Sequence, residues 1–442
     1  MNPVVCIVGR PNVGKSTLFN RLVGGRRAIV QDDPGVTRDR LYGHGDWDGT
    51  EFVVVDTGGL TPTEGSNISK AIEAQAVVGI EEADVILLVV DTRAGLTAED
   101  HDVAGLLRAS GKPVLVTANK ADGPRQELEA AEFYELGLGE VYAISAQHGR
   151  NTADLLDALV ERIREGAAER EARAVPADPD RMRVAFVGRP NAGKSSLVNA
   201  ILREERMLVD DKPGTTRDPI DSLWDVGDAR FTLVDTAGIR RKANIALDME
   251  KIAVVKAIRA VERTDVACLV VDMDEGPAEQ DARVASLVQK SGRALVILAN
   301  KVDRVPVGSP RYKEQLTALQ ERLRFVTWAP VHPTSAKTGR GLGKLPEQIL
   351  RVHGEWDRRV TTAVLNRFLE EAVAQHHPAA HRGREVKLYY GTQVSTRPPT
   401  FVFSVNSPEG VKESYRRYLK NQLREAFQFE GTPLRLFFKR RS

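Results

Sequence analysis

Cysteine is almost missing from this 442-residue chain: Cys6 and Cys268 are the two it has. Two thiols cannot build a disulfide framework or a cysteine-rich metal centre, and both lie in apolar, strand-like runs, so each reads as a buried free thiol. Long apolar runs are lacking too. Stretches such as Val85–Val90 are far too short to span a bilayer, so no membrane partner is expected. A strand-like run starts at Val4, which leaves no room for a signal peptide, and a reducing cytoplasmic setting is expected. Excess charge is small, at +2, but unevenly spread: residues 353–442 carry about +7 and the remainder about −5. The basic surface therefore concentrates near the C-terminus. With 42% hydrophobic and 28% charged residues, the composition is that of a soluble globular protein, and the length suits two to four domains.

What is present is a duplicated phosphate loop. Gly9, Arg10, Pro11, Asn12, Val13, Gly14, Lys15 and Ser16 fit the pattern G-x-x-x-x-G-K-[ST], and so do Gly188, Arg189, Pro190, Asn191, Ala192, Gly193, Lys194 and Ser195. Lys15 and Lys194 are separated by the same interval as Asp56 and Asp235, so a whole domain is repeated. In the first copy Val4–Val8, Phe52–Val55, Val85–Val90, Pro113–Ala118 and Val141–Ile144 read as strands. Val184–Val187, Phe231–Val234, Val266–Val271, Ala294–Ala299 and Trp328–Val331 answer them in the second. Helical patterns such as Ser16–Val23 and Asp154–Ile163 lie between. This alternation predicts α/β domains, each a mainly parallel sheet with helices on both faces, and ligands beyond the carboxyl ends of the strands. The tail reads as a helix over 361–374, strands over 385–393 and 400–405, a helix over 411–427 and a closing strand over 434–439, a small α+β unit. The expected division is a first domain at 1–165, a linker at 166–181, a second domain at 182–352 and the tail domain at 353–442.

Each motif suggests a part of a nucleotide site. The loop glycines let backbone N–H groups face phosphates, which Lys15 and Lys194 can reach. Ser16 and Ser195 can offer hydroxyls to Mg²⁺ at a helix start that favours the anion. Asp56, Thr57, Gly58 and Gly59 follow one apolar strand, and Asp235, Thr236, Ala237 and Gly238 the other. A carboxylate there can hold Mg²⁺ directly or through water, and the N–H of Gly59 or Gly238 can sense the γ-phosphate. Thr37 and Thr216 sit in Asp-x-Pro-Gly-[VT]-Thr-Arg-Asp loops and are candidate further Mg²⁺ ligands in a first switch. The second switch is expected over Leu60 to Glu82, and over Ile239 to Arg263 with a basic start at Arg240, Arg241 and Lys242.

The base is read further on. Asn119, Lys120, Ala121 and Asp122 form one Asn-Lys-x-Asp segment; Asn300, Lys301, Val302 and Asp303 form the other. Guanine presents two adjacent donors that one carboxylate can accept, whereas adenine presents an acceptor at its ring nitrogen. Asp122 and Asp303 are thus the expected readers, the lysine stems cover the base, and a backbone N–H near Ser145 and Ala146, or Ser335 and Ala336, can meet the guanine oxygen. GTP and GDP are the expected ligands.

In this order the motifs resemble those of the translation-factor-related GTPases. The duplication, the Pro-Gly-[VT]-Thr-Arg-Asp loops and Lys387-Leu-Tyr-Tyr-Gly-Thr-Gln393 in the basic tail narrow the resemblance to the bacterial tandem GTPases called Der or EngA, over essentially the whole chain. The resemblance implies a KH-like tail, GTP hydrolysis at two sites, and a role in maturation of the large ribosomal subunit with its rRNA as partner. A monomer is expected, without DNA. Leu60 and Ile239 stand where small signalling GTPases place a water-orienting glutamine, and an apolar side chain cannot orient water. The resemblance suggests a potassium ion instead, with Asn12 and Asn191 as its ligands. No Gly-x-x-Gly clamp occurs in residues 353–442, so the tail departs from the RNA-binding KH pattern. Arg416, Arg417, Lys420, Lys439, Arg440 and Arg441 can still meet rRNA phosphates.

Other readings stay open at this point. GTP could act only as a conformational ligand of a binding module; single-turnover hydrolysis discriminates. A tRNA-modifying GTPase would need a modification domain, for which the chain has no room, and an ATPase is opposed by Asp122 and Asp303. His376, His377 and His381 read as solvated loop residues, not a metal site. Of Tyr389 and Tyr390, at least one ring is expected in the core.

Overall fold

The structure, a computed structural model, describes residues 2–23, 42–57, 77, 80, 83–173, 180–208, 221–235 and 249–440. The first sheet comprises β1 (Val4–Val8), β2 (Tyr42–Trp47), β3 (Thr50–Asp56), β4 (Val85–Asp91), β5 (Val114–Asn119) and β6 (Val141–Ala143). Their order is β2-β3-β1-β4-β5-β6, parallel except for the β2–β3 hairpin. The apolar run of β4 is buried along its entire length, as a strand covered on both faces must be. Register then sets the motifs: Ile7 pairs with Asp56, and Asp91 with Asn119, so the ends that carry carboxylate and base motif lie along one edge. β1 lies between β3 and β4, where the winding reverses and a crevice opens for a ligand.

The second sheet repeats this plan. It contains β7 (Met182–Val187), β8 (Ser222–Val226), β9 (Ala229–Leu233), β10 (Val266–Asp272), β11 (Ala294–Asn300) and β12 (Val331–Pro333), in the order β12-β11-β10-β7-β9-β8. The tail carries β13 (Leu388–Thr396), β14 (Pro399–Val405) and β15 (Arg435–Arg440), with β13 antiparallel and β15 parallel to β14. Helices Thr362–Gln375 and Glu413–Phe427 complete its core, which buries Phe401, Phe403, Leu419 and Phe429. Both cysteines are buried and neither is in a disulfide, and burial pushes the Cys268 thiol up.

Several elements differ from the sequence reading, each for a local reason. The edge strands β2 and β8 were not anticipated, because an edge strand needs no apolar run: β2 includes Gly43 and Gly45. The signal lay in the turn instead. Asp48 and Gly49 both have positive φ, 48° and 71°, the geometry of a two-residue hairpin. The last strand of the second sheet is Val331–Pro333, not Trp328–Val331. Trp328 is engaged otherwise: its carbonyl accepts from the Gly431 N–H at 2.7 Å, and the Arg424 guanidinium lies 5.2 Å over its ring. The helix Thr152–Arg173 runs into the segment read as a linker, whose start the sequence also offered as a helix end. Neither tyrosine ring is in the core. Tyr389 and Tyr390 are 44% and 48% exposed, because a register shift between Leu388 and Tyr390 breaks the inward–outward alternation of β13. His376 packs its ring on Tyr415 and Tyr418, and no metal-holding cluster occurs among the described residues. No described helix is long and apolar enough to cross a membrane.

Candidate functional site

Each phosphate loop joins a buried strand to a helix that opens at its lysine, Lys15–Val23 in the first copy and Lys194–Leu208 in the second. Gly14 has φ +97°, and a Cβ on it would lie 2.2 Å from Asn119 Nδ2; at Gly193 the corresponding approach, to Asn300 Nδ2, is 2.3 Å. Glycine is required there because the asparagine comes so close. Asn119 Nδ2–H donates to the Val13 carbonyl at 2.8 Å, and Asn300 Nδ2–H to that of Ala192 at 2.8 Å. Asn119 Oδ1 also accepts from the Ala146 N–H at 2.9 Å. The first residue of each base motif is therefore a brace for the phosphate loop, and in the first copy it ties in the loop after β6 as well.

Lys15 is 7% exposed, and its Nζ donates to the carbonyls of Gly9 and Arg10, both at 2.7 Å. Lys194 Nζ donates to Gly188 at 2.8 Å and Arg189 at 2.6 Å. Burial lowers both ammonium groups to about 8, opposed by Asp56 in the first copy and Asp281 in the second. Carbonyl dipoles leave most of that charge uncompensated, so each loop suits an anion. An anion bound beside these lysines should restore their protonation. Nucleotide binding at pH 9 is accordingly expected to take up protons, and affinity to fall as pH rises through 8; at pH 6.5 the uptake vanishes. Calorimetry in buffers of different ionisation heat measures this directly.

Beside Lys15, Ser16 Oγ–H donates to Asp56 Oδ2 at 2.8 Å. A hydroxyl and a buried carboxylate meeting at a phosphate loop are hard oxygen donors of the kind Mg²⁺ takes, so the residues present fit that ion. Thr57 Oγ1–H reaches back to the Ile7 carbonyl at 2.5 Å and pins the strand end. In the second copy β9 ends at Leu233 and Asp235 adopts φ +60°, its N–H donating to Asp221 Oδ1 at 3.0 Å. Asn12 and Asn191 also have positive φ, 65° and 63°, a conformation asparagine tolerates better than most residues. Thr37, Gly58, Gly59, Leu60, Thr216, Thr236, Ala237, Gly238 and Ile239 lie outside the described residues, as do Arg240, Arg241, Lys242 and Arg441.

At the base end, Ser145 Oγ–H donates to Asp122 Oδ1 at 2.6 Å, and Ser335 Oγ–H to Asp303 Oδ1 at 2.6 Å. Asp122 is held below the usual carboxylate range by the Ser145 hydroxyl and by Arg93. Buried Ala121 and Val302 hold the segments in place: their N–H groups donate to Ile144 at 2.9 Å and Thr334 at 3.2 Å. Lys120 Nζ donates to the Asn12 carbonyl at 2.7 Å and to Asp91 Oδ2 at 2.5 Å; Lys301 pairs with Asp272. Phosphate loop and base motif, far apart in the chain, thus meet in each copy.

Some participants were missed in the sequence. Asp91 and Asp272 anchor the base-motif lysines. Asp100 and Asp281, raised by burial, face Arg10 at 3.4 Å and Arg189 at 3.9 Å. A signal existed, since each pair recurs at matching places in the two copies. In the tail, Arg417, Lys439 and Arg440 are exposed, whereas Arg416 lies 4.7 Å over the Phe438 ring.

Comparison with known proteins agrees with this geometry. A family model described as a 50S ribosome-binding GTPase matches residues 4–120 and 183–301. The KH-domain-like model of EngA bacterial GTPase enzymes matches 359–439, and the elongation factor Tu GTP-binding domain model matches 253–355. Among curated proteins, the chain is 48% identical to the GTPase Der of Moorella thermoacetica, over 99% of this chain and 98% of that one. It is 46% identical to that of Limosilactobacillus fermentum, over 100% and 99%, and 47% identical to that of Myxococcus xanthus, over 100% and 96%.

Proposed function

The chain belongs to the GTPase Der family and hydrolyses GTP, and on that premise we propose that both phosphate-loop domains turn over GTP and act as nucleotide-dependent switches in ribosome biogenesis, in maturation of the large subunit. The observation that carries the two-site reading is the repeated cradle: a lysine ammonium on two loop carbonyls, and a base-motif carboxylate on a serine hydroxyl, at closely similar distances in each copy. The large-subunit reading is supported by the 50S ribosome-binding description of the family model and by the basic tail. Exposed Arg417, Lys439 and Arg440 suit rRNA phosphates, and no Gly-x-x-Gly clamp is needed for such contacts. A cytoplasmic monomer is part of the same proposal.

Water attacks the γ-phosphate, and the chain supplies position and charge. Lys15 and Lys194 bind the β- and γ-oxygens, Asp122 and Asp303 hold the guanine, and Gly59 or Gly238, outside the described residues, would offer an N–H to the γ-phosphate. Mg²⁺, when bound, neutralises charge building between β- and γ-phosphates; Ser16, Thr37 and Asp56 would hold it in the first site, and Ser195, Thr216 and Asp235 in the second. With Leu60 and Ile239 unable to orient water, intrinsic turnover is slow; Asn12 and Asn191 would hold a K⁺ ion, which would supply positive charge to offset the negative charge developing on the phosphates. Hydrolysis is expected to run at least tenfold faster in K⁺ than in Na⁺ at constant ionic strength, a gain within the range of transition-state charge stabilisation; equal rates remove the potassium role.

The switch reading is tested by co-sedimentation with purified ribosomal subunits in GTP analogue, GDP and nucleotide-free buffer, using wild type, Lys15→Ala and Lys194→Ala. Binding to the large subunit that changes with nucleotide supports it. Binding to neither subunit under every condition rejects it.

A further inference from the structure

The base-reading carboxylates of the two sites are contested differently. In the first site Asp122 Oδ1 is taken by Ser145, and Oδ2 accepts from the guanidinium of Arg93, just beyond β4. Arg93 is itself anchored, its N–H donating to Asp91 Oδ1 at 3.0 Å, while its side chain is 62% exposed and Asp122 24% exposed. In the second site the position equivalent to Arg93 is Asp274, and the residue after the reader is Arg304 where the first copy has Gly123. There the loop acid draws the neighbouring cations off: Arg304 pairs with Asp274 at 2.9 Å and Arg311 at 3.1 Å. Asp303 keeps its Ser335 bond, and among the described residues no guanidinium forms a salt bridge or hydrogen bond with it, the neighbouring Arg304 being held on Asp274 instead.

We propose that Arg93 sets guanine affinity in the first site by competing with the base for Asp122. This rests on the reading of Asp122 as the guanine acceptor. Guanine's two donors need both carboxylate oxygens, and the arginine fork offers the same kind of donor to one of them. The first site must therefore break an ion pair to take its ligand. The second site, with its charges inverted, need not.

The test is calorimetric titration with GDP of full-length protein whose second site is silenced by Lys194→Ala and Asp303→Ala. Adding Arg93→Ala is expected to tighten GDP about two- to fivefold, the range of an exposed ion pair, and Arg93→Lys to fall between. The gain shrinks at 0.5 M salt, where the pair is screened. Conversely, Asp274→Arg in protein with a silenced first site should weaken GDP by a similar factor. Unchanged or weaker binding in Arg93→Ala overturns the proposal. Asp122→Ala, measured alongside, separates the two layers. If it abolishes GDP binding while Arg93→Ala fails to tighten it, only the competition falls. If GDP still binds with full affinity, the base-reading role falls and the competition with it.

Discussion

Single-turnover GTP hydrolysis at the first site is expected to drop about 10²–10³-fold in Lys15→Ala, and at the second site by the same range in Lys194→Ala. The size of the effect follows from burial. Each ammonium sits against two loop carbonyls at 2.6–2.8 Å. Removing it takes away a desolvated charge from the place where phosphate oxygens gain charge as the bond breaks. Arginine is not a substitute, since a planar fork cannot occupy a cup fitted to a compact ammonium. Because the machinery is duplicated, either single variant should retain the turnover of the intact site, and only the double variant should approach zero. Rapid-quench measurements on the three proteins check this. A loss below about tenfold at the altered site would show that the lysine is not central to catalysis.

The second large effect concerns the base. Asp122→Asn or Asp303→Asn is expected to weaken guanine nucleotides at the altered site at least 10²-fold, because an amide donor then faces a guanine donor and leaves it unpaired. Xanthine carries a carbonyl where guanine has its amine. The same amide can donate to that carbonyl and accept from the ring N–H, so xanthosine diphosphate should gain affinity as guanosine diphosphate loses it. The Ser145 and Ser335 hydroxyls, 2.6 Å from the carboxylates, can donate equally to an asparagine carbonyl, so the loop should keep its shape. Competition binding with the two diphosphates reads the exchange. An Asn variant that keeps full guanine affinity would remove the carboxylate as the base reader.

Much of this site could be read from contiguous residues. A phosphate loop is eight residues whose glycines, lysine and serine act through their own backbone and their own short reach, so Gly9–Ser16 and Gly188–Ser195 announce themselves. The parallel strands were legible for a similar reason, since a strand covered on both faces must be an apolar run. Edge strands obey no such rule, and β2 and β8 went unseen. The exposed Tyr389–Tyr390 pair depends on a bulge that side-chain pattern does not encode.

The sequence by itself determined that a phosphate loop and a base motif each occur twice and that a basic unit follows them, because each of these is written in local chemistry. Tertiary structure alone decided how the parts are braced and what competes for them. Asn119 holds the phosphate loop from 106 residues away, Lys120 is anchored on Asp91 from a neighbouring strand end, and Arg93 meets Asp122 across 29 residues while Asp274 turns Arg304 aside. Those partnerships exist only because the strand order β3-β1-β4-β5 brings the carboxyl ends together, a consequence of long-range packing that no window of sequence contains.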